Sequence, residues 1–304
     1  MITLKSLAAL VDAYGDQLDQ PVAPFRVGDR EIDTDARPAL MGVLNLSRDS
    51  WYRESVAATH AAAVRRGSVL AAQGADIVDI GAESSNAGTE IVSAMEQTRQ
   101  LVPVIEELAQ AGVAVSVESY HPATVEACLQ AGARVLNLTG SGDDEAMFGL
   151  AAAYDASVVL CHIEGTHARD LHDPATNPVA SDPVPAMLEQ FERRLAHARE
   201  LGVGSVAIDP GIGFGLAWLP DPAERARYQG ALLLQTFRLR GLGVPVCHAL
   251  PSAMDLFGEE VRSAEGFFAV LAALGRTGIH RTHEISRVAA VLDAMGDLVA
   301  EPPR

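Results

Sequence analysis

Ionisable and hydrogen-bonding side chains stand at the ends of short apolar runs throughout the sequence. The clearest case is the run 206–208, which stops at Asp209 and turns through the glycine-rich loop 210–215. An apolar run without polar alternation is typical of a strand buried on both faces, and the Pro-Gly pair ends it. Asp209 therefore lies at a strand end, where it either serves a site or caps N–H groups of its own loop. The other residues in such positions are Asn45, Glu83, Glu118, Asn137, His162, His248, Arg281 and His283.

The types of these residues suggest two kinds of ligand group. Two acids and an amide, Glu118, Asn137 and Asp209, suit a flat heterocycle that carries several N–H donors and carbonyl acceptors. Arg281 and His283 are two residues apart in a strand pattern, so we expect them to face the same side and to suit an oxyanion or a phosphate. Each of these side chains alone is more simply explained as a loop cap or a satisfied polar group. Their meaning depends on whether the fold brings them together.

The fold follows from a regular alternation that begins at Ala39, in which a short apolar run precedes an alanine-rich amphipathic segment. About eight such units in about 265 residues predict an α/β protein with a single (β/α)8 TIM barrel, whose strand ends meet at one mouth. An open doubly wound sheet is the alternative, and it is disfavoured because no G-x-G-x-x-G motif follows an early strand. The predicted strands are Leu40–Asn45, Asp76–Ala82, Ala114–Glu118, Arg134–Leu138, Ser157–His162, Ser205–Asp209, Pro245–Ala249 and His280–His283.

Residues 1–38 are predicted to form a short N-terminal extension that covers the barrel, which then occupies residues 39–304. Helical spacing of apolar residues predicts a helix over Leu4–Tyr14, and residues 21–33 predict a short extended pair that turns near Gly28 and Asp29. The predicted barrel helices lie near 56–73, 91–111, 122–131, 143–155, 183–201, 222–242, 263–276 and 285–299.

Composition and charge limit the partners of this chain. A formal net charge of −17 argues against a nucleic-acid or anionic membrane surface, since both require clustered Lys and Arg. No apolar run reaches about 18 residues, and the N-terminus lacks the pattern of a signal peptide. The three cysteines, Cys128, Cys161 and Cys247, contain no C-x-x-C pair and predict neither disulfides nor a zinc knuckle. We therefore expect a soluble, cytoplasmic protein that binds small molecules and neither nucleic acid nor membrane.

Four stretches follow one another at predicted strands: Met41–Ser50, Val78–Ser85, Ile208–Gly215 and Arg281–Glu284. In their order and positions they resemble the dihydropteroate synthases and the wider family of pterin-binding barrels. The resemblance extends from about Met41 to the end of the last predicted helix. It implies a TIM barrel that joins a 7,8-dihydropterin pyrophosphate to the arylamine 4-aminobenzoate with loss of pyrophosphate, on the route to folate. It also implies a homodimer that pairs through barrel helices.

For the pterin, the resemblance implies a pocket in which Glu118, Asn137 and Asp209 hold the ring. Cys161 would lie beside the ring, and its apolar run predicts a buried packing thiol and not a nucleophile. Asp209 would also belong to the catalytic set. The pterin ring is electron-rich, so it can carry positive charge that develops on its methylene carbon when the bond to pyrophosphate breaks.

For the leaving group, the resemblance implies that Arg281 and His283 bind the departing anion and are catalytic. Asn45 would help to hold Mg²⁺ and the pyrophosphate. A cation and Mg²⁺ stabilise the charge that builds on pyrophosphate as the carbon–oxygen bond breaks. Three serines would lie in the loops around the second substrate, namely Ser84, Ser85 and Ser252.

The chain departs from the family pattern around the second substrate. Met254 stands where the family's Ser-Arg-Lys run would place a lysine, and a thioether is no strong donor. Asn86 stands where the second loop normally has an arginine, and Glu118 replaces an aspartate. These changes identify a divergent member and leave two alternatives open: a pterin-dependent transferase with another second substrate, and a non-catalytic paralogue that binds pterin or a partner. The further departures are Arg48, Arg53, Glu54, Leu138 and Leu216.

A metal-dependent hydrolase barrel is a third alternative, based on His162 with Glu164 and on His248 beside Cys247. It is disfavoured because no H-x-H follows the first predicted strand and no H-E-x-x-H is present.

Overall fold

The computed structural model of the chain describes residues 2–47, 56–57, 59–84, 89, 91–163, 166, 182–213, 219 and 221–298. Its strands are β1 (Phe25–Val27), β2 (Arg30–Ile32), β3 (Ala39–Asn45), β4 (Ile77–Gly81), β5 (Val115–Glu118), β6 (Val135–Leu138), β7 (Ser157–Cys161), β8 (Val206–Asp209), β9 (Cys247–Ala249) and β10 (Ile279–Thr282). Its α-helices are α1 (Leu4–Tyr14), α2 (His60–Ala72), α3 (Ala94–Gln110), α4 (Pro122–Gln130), α5 (Asp144–Ala153), α6 (Val184–Glu200), α7 (Pro222–Leu234), α8 (Met254–Phe257), α9 (Val261–Leu274) and α10 (Ile285–Asp297).

Strands β3 to β10 form one parallel sheet that closes into a barrel. The neighbouring strands follow the order β8-β7-β6-β5-β4-β3-β10-β9. The two ends of this order meet, because Ile208 of β8 forms a parallel bridge with Val246, and its N–H donates to the carbonyl of Pro245 at 2.9 Å. The predicted (β/α)8 barrel is confirmed, and all eight predicted strands are present with ends shifted by at most two residues.

The N-terminal hairpin closes the end of the barrel at which the strands begin. Its strands β1 and β2 pair antiparallel and turn through Gly28, which has φ of 59°. Phe25, Val27 and Ile32 of the hairpin are buried in one apolar cluster with inward-facing residues of the barrel strands, including Met41. The predicted helix and extended pair of the N-terminal segment are therefore present, and the pair plugs the barrel from below.

Two predicted helices differ from the observed ones by more than three residues at one end. The helix predicted over 56–73 begins at His60, where Thr59 caps the N–H of Ala62. The helix predicted over 222–242 is wrong in its last part, because α7 ends at Leu234 and a 3₁₀ segment follows to Leu242. Gly243 ends that segment in the left-handed conformation, which glycine adopts without steric cost.

Within the residues that the structure describes, no helix is both long and apolar enough to cross a membrane.

Candidate functional site

A buried layer of polar side chains lies inside the barrel near the ends of the strands, and Asp79 of β4 is at its centre. Asp79 is 1% exposed. Its Oδ1 accepts a hydrogen bond from Ser116 Oγ of β5 at 2.7 Å. Its Oδ2 accepts from Asn137 Nδ2 of β6 at 2.9 Å and from Arg281 Nε of β10 at 2.7 Å. Partners on three other strands reach one carboxylate only across the interior, so Asp79 ties the layer together.

The sequence reasoning missed Asp79, because it considered only residues at or beyond strand ends. Asp79 lies two residues before the end of β4. A signal was present, since an acid within an otherwise apolar strand of a barrel must pair with another buried polar group. Among the carboxylates around Arg281, Asp79 contributes most to the raised pKa of the guanidinium.

Arg281 joins a second carboxylate to this layer. Its Nη2 lies 3.4 Å from Glu118 Oε2, and Thr139 donates to Glu118 Oε1 at 2.9 Å. Glu118 and Arg281 keep only 11% and 13% of their side-chain surface exposed. One guanidinium therefore faces the carboxylates of Asp79 and Glu118, and the extra methylene of glutamate relative to aspartate supplies the reach to Arg281.

The burial of Glu118 and Asp209 in this layer raises their pKa values. Burial raises the pKa of Glu118 to about 7, although the Arg281 guanidinium opposes this shift. Burial also raises the pKa of Asp209 to about 6. Burial alone would lower the pKa of Arg281, but the carboxylates of Asp79 and Glu118 outweigh it and raise that pKa. Arg281 is thus positively charged at all relevant pH values, while Glu118 and Asp209 titrate near neutrality.

Asp209 is the last residue of β8 and faces the buried layer. It also binds the glycine-rich loop. Its Oδ1 accepts from the backbone N–H of Gly211 at 2.8 Å. Gly211 has φ of +76°, and a Cβ there would collide with the carbonyl oxygen of His162, so the loop requires glycine at this position. The loop-capping role and the ligand-binding role are compatible, since a carboxylate offers about four acceptor positions.

His283 lies just beyond the strand that carries Arg281, and the joint binding of an oxyanion by the two residues stays a prediction. β10 ends at Thr282, and His283 follows it. The ring binds α9, because Nδ1 of His283 is 2.7 Å from Oε1 of the buried Glu265. The backbone carbonyl of His283 accepts from Arg66 Nη2 of α2 at 3.2 Å. His283 therefore lies at the mouth end of β10, with its ring and backbone held by α9 and α2.

The other predicted site residues are distributed around the same end of the barrel. Asn45 is the last residue of β3, and Cys161 is the last residue of β7. Burial raises the pKa of the Cys161 thiol well above its ordinary value, which suits a packing role. Ser84 is buried just after β4, and Ser252 lies half-buried between β9 and α8. Ser85 lies outside the described residues.

Glu83 and His162, which also stand at strand ends, are occupied by local structure. Glu83 Oε2 accepts from the backbone N–H of Val92 at 2.9 Å and from Gln97 Nε2 at 3.0 Å, and so braces the second loop. The ring of His162 packs against Phe191 at a centroid distance of 6.0 Å. Glu164, which the metal-dependent alternative pairs with His162, lies outside the described residues. The part of the chain that the structure describes contains no group of three or more His, Cys, Asp or Glu that could hold a metal ion.

The donor set fits a magnesium ion that arrives with phosphate oxygens. Mg²⁺ prefers oxygen ligands and commonly keeps several waters, with only one or two protein ligands and the rest from a bound phosphate. The amide oxygen of Asn45, at the mouth end of β3, is a ligand of this type. A dedicated all-protein cage is not required for such an ion.

The fold and site define a (β/α)8 barrel with a buried acid, amide and guanidinium layer at its mouth, which suits a hydrogen-bonding heterocycle. Residues 41–249 match the family described as pterin binding enzyme. The dihydropteroate synthase of Bacillus subtilis is 30% identical over 269 residues, which cover 84% of this chain and 88% of that protein. The chain belongs to the dihydropteroate synthase family of pterin-binding enzymes.

Two further similarities agree with this assignment. A probable bifunctional folylpolyglutamate synthase/dihydropteroate synthase of Halobacterium salinarum is 32% identical over 264 residues, which cover 84% of this chain. The match spans only 31% of that longer protein. A solved structure of Xanthomonas albilineans dihydropteroate synthase with 4-aminobenzoic acid is 28% identical, with a TM-score of 0.75, and the match covers 92% of this chain and 100% of that one.

Proposed function

We propose that this chain is a transferase of the dihydropteroate synthase type, which condenses a 7,8-dihydropterin pyrophosphate with 4-aminobenzoate. The observation that carries the proposal is the interior layer itself. Asp79, Glu118, Asn137 and Arg281, from four different strands, are linked by hydrogen bonds and an ion pair across the barrel. Relatives of similar length carry the name dihydropteroate synthase.

Three side chains of the layer are suited to hold the pterin. Asn137 offers an amide oxygen and N–H, and the carboxylates of Asp209 and Glu118 accept from ring N–H groups. Asp209 has a pKa raised to about 6 and is mainly ionised at pH 7, so it supplies a charge-assisted acceptor. Glu118, with a pKa raised to about 7, is present in both protonation states and can also donate. The site is thus a hydrogen-bonding frame for a heterocycle with both donors and acceptors.

The leaving pyrophosphate requires positive charge at the mouth. Arg281 remains charged through its contacts with Asp79 and Glu118, and its guanidinium is the cation of the layer. His283, at the mouth end of β10, is the second candidate for the departing oxyanion. Preorganised charge of this kind stabilises the anion as it forms, without reorganisation during the reaction. The arylamine nitrogen then bonds to the methylene carbon and loses a proton.

Asn45 would be the protein ligand for Mg²⁺, together with oxygens of the pyrophosphate. When bound, the ion supplies additional positive charge to the leaving group.

Calorimetry with a dihydropterin, followed by a turnover assay with the pterin pyrophosphate, 4-aminobenzoate and Mg²⁺, tests this function. We expect pterin binding and release of pyrophosphate that depends on the arylamine. Asn137→Ala serves as a control that removes a pterin contact and should abolish both. Binding without turnover would contradict synthase activity, and absence of pterin binding would contradict the whole proposal.

A transferase with a different second substrate is the second candidate, and Met254 favours it. Met254 is the first residue of α8 and is half-buried near the mouth. A thioether there offers no cation to a carboxylate-bearing arylamine.

The double substitution Met254→Lys with Asn86→Arg separates the two candidates; Asn86 lies outside the described residues. If the wild type binds pterin without turnover and the double variant gains synthase activity, the second candidate replaces the first. If the wild type already turns over 4-aminobenzoate, the second candidate is wrong.

A cytoplasmic homodimer belongs to the same proposal. Phe267 and Leu274 of α9 are 48% and 50% exposed, and exposed apolar side chains on an outer helix support pairing through that helix. Sedimentation velocity of the wild type and of Phe267→Asp tests this, and a wild type that sediments as a monomer would contradict it.

A further inference from the structure

The contacts at the end of β10 single out a residue to which the family motifs assign no role. Glu265 lies on α9, and its carboxylate is completely buried. Its Oε2 accepts from the backbone N–H of His283 at 2.9 Å, from that of Glu284 at 3.3 Å and from the hydroxyl of Thr282. Its Oε1 is 2.7 Å from Nδ1 of His283. One carboxylate therefore collects bonds from three consecutive residues.

The charge of the Glu265 carboxylate identifies His283 as its main electrostatic partner. A buried carboxylate is costly unless a positive group or several donors compensate it. Among the partners of Glu265 in the described residues, the imidazole of His283 alone can carry positive charge. The nearby Arg262 and Arg287 bind Glu284 instead, at 2.8 Å and 3.0 Å. His283 and Glu265 thus form a pair that the surrounding arginines do not share.

The same geometry determines which ring nitrogen carries hydrogen. An ionised carboxylate is an acceptor only, so Nδ1 of His283 must be the N–H that faces Glu265. Nε2, on the opposite edge, is then the nitrogen that changes between a lone pair and an N–H. The backbone is fixed as well, since the N–H of His283 donates to Glu265 and its carbonyl accepts from Arg66. The ring has neither its usual rotational freedom nor a choice of tautomer.

We propose that Glu265 is the positioning residue for His283, which directs Nδ1–H towards α9, so that the imidazolium form would donate to an oxyanion through Nε2–H. This inference rests on the proposed function, in which His283 binds the departing pyrophosphate. A carboxylate that binds Nδ1–H also supports the imidazolium electrostatically, and so strengthens an anion contact made through Nε2.

Glu265→Gln tests the tautomer, because backbone N–H donors determine the orientation of the glutamine amide. The Oε2 position receives two backbone N–H donors, so the amide oxygen of glutamine must occupy it. The amide NH₂ then occupies the Oε1 position and presents a donor to Nδ1 of His283. Nδ1 must become the acceptor, and the neutral ring must carry its hydrogen on Nε2. A residue that only packs the helix would not produce this exchange.

Ring ¹⁵N shifts of labelled histidine at pH 7.5 measure the tautomer directly. The signal of His283 among the nine histidines is assigned by its loss in His283→Gln. We expect the Nδ1–H form in the wild type and the Nε2–H form in Glu265→Gln. The matched control is Thr282→Val, which removes the hydroxyl bond to Glu265 and leaves the Glu265–His283 contact, so it should keep the Nδ1–H form.

Calorimetry with inorganic pyrophosphate and Mg²⁺, and separately with a dihydropterin that lacks pyrophosphate, measures the functional effect. We expect Glu265→Gln to weaken pyrophosphate binding on the order of tenfold, as for other partners that orient a binding histidine, with pterin binding unchanged. Thr282→Val should leave both affinities unchanged.

Two results would overturn the role of Glu265: an Nε2–H tautomer in the wild type, or equal pyrophosphate affinity in the wild type and Glu265→Gln. The first is measured on the wild type, with His283→Gln used only to assign the signal, so it decides the matter even if Glu265→Gln does not fold. A wild type that binds no pterin would instead contradict the proposed function, and the tautomer would still report on Glu265.

Discussion

The two ends of the barrel interior differ in composition: the lower end is apolar, and the mouth contains polar and charged side chains. At the lower end, Phe25 of the hairpin is completely buried among aliphatic side chains such as Met41 and Ile279. At the mouth, the fully buried Asp79 forms an ion pair of 2.7 Å with Arg281, whose side chain is 13% exposed. Burial of apolar surface stabilises the fold at the lower end, whereas the desolvation of several charged groups costs stability at the mouth.

This difference shows where stability and function reside. A carboxyl group whose pKa is raised by burial is less stable as an anion in the folded chain than in water, and both Glu118 and Asp209 are of this kind. Carboxyl groups with such raised pKa values are typical of ligand-binding sites. The stability of the fold therefore comes mainly from the apolar end. Substitutions at the two ends should therefore separate the free energy of unfolding from ligand affinity.

The largest expected effect is at the lower end, for Phe25→Ala. The substitution leaves a cavity in the cluster that plugs the barrel and should reduce the free energy of unfolding by about 3 to 5 kcal/mol. Pterin affinity of the remaining folded protein should be unchanged, because the site lies at the other end. Urea unfolding and calorimetry measure the two quantities. Leu4→Ala, at a side chain that is 86% exposed, is the control and should leave both unchanged. A large loss of affinity in Phe25→Ala would show that the ends are coupled.

The reverse pattern is expected for Asp209→Asn at the mouth. Asparagine keeps the size of the side chain but removes a charged acceptor, whose hydrogen bonds are worth about 1.5 to 3 kcal/mol. Pterin affinity should fall on the order of ten- to a hundredfold at pH 7.5. The free energy of unfolding should not fall, because a buried charge is removed at the same time. Unchanged affinity would exclude Asp209 from the pterin pocket.

The loss of folding stability at acid pH should come from a third region, which contains two buried histidines of β9 and β10. His248 and His280 are completely buried, and burial lowers their pKa values to about 3 and about 4. A folded-state pKa below the unfolded value of about 6.5 means that the unfolded chain binds more protons as the pH falls below that value. Stability is therefore lost as pH falls from about 6.5 towards 4.

His280→Leu should remove about 2 kcal/mol of the stability difference between pH 7 and pH 5. Unfolding by urea at the two pH values measures it. Any change in packing contributes equally at both, so the difference isolates protonation. An acid dependence identical to that of the wild type would mean that His280 is not neutral in the folded chain.

The features that the sequence predicted are those that depend on local pattern. Apolar runs located the strands, and strand ends located Glu118, Asn137 and Asp209, because a parallel barrel converts strand order into spatial proximity. Asp79 and Glu265 were not predicted. Asp79 lies inside a strand, where pattern shows an acid but not its partner. Glu265 lies on a helix, and its bond to the end of β10 depends on tertiary packing of α9 that no spacing encodes.

The smallest expected effect is the pH dependence of pterin binding. A change of pH alters the charge of Asp209 at the mouth without a substitution. Since burial raises the pKa of Asp209 to about 6, its carboxylate is ionised at pH 7 and mainly protonated at pH 5. A pterin N–H requires the ionised acceptor, so binding should weaken about tenfold between pH 7 and pH 5, one decade for each unit below the pKa. Calorimetry across this range measures the change, and Asp209→Asn should flatten the part that Asp209 contributes. The same dependence in the wild type and in Asp209→Asn would assign the titration to Glu118, whose pKa of about 7 lies above that of Asp209.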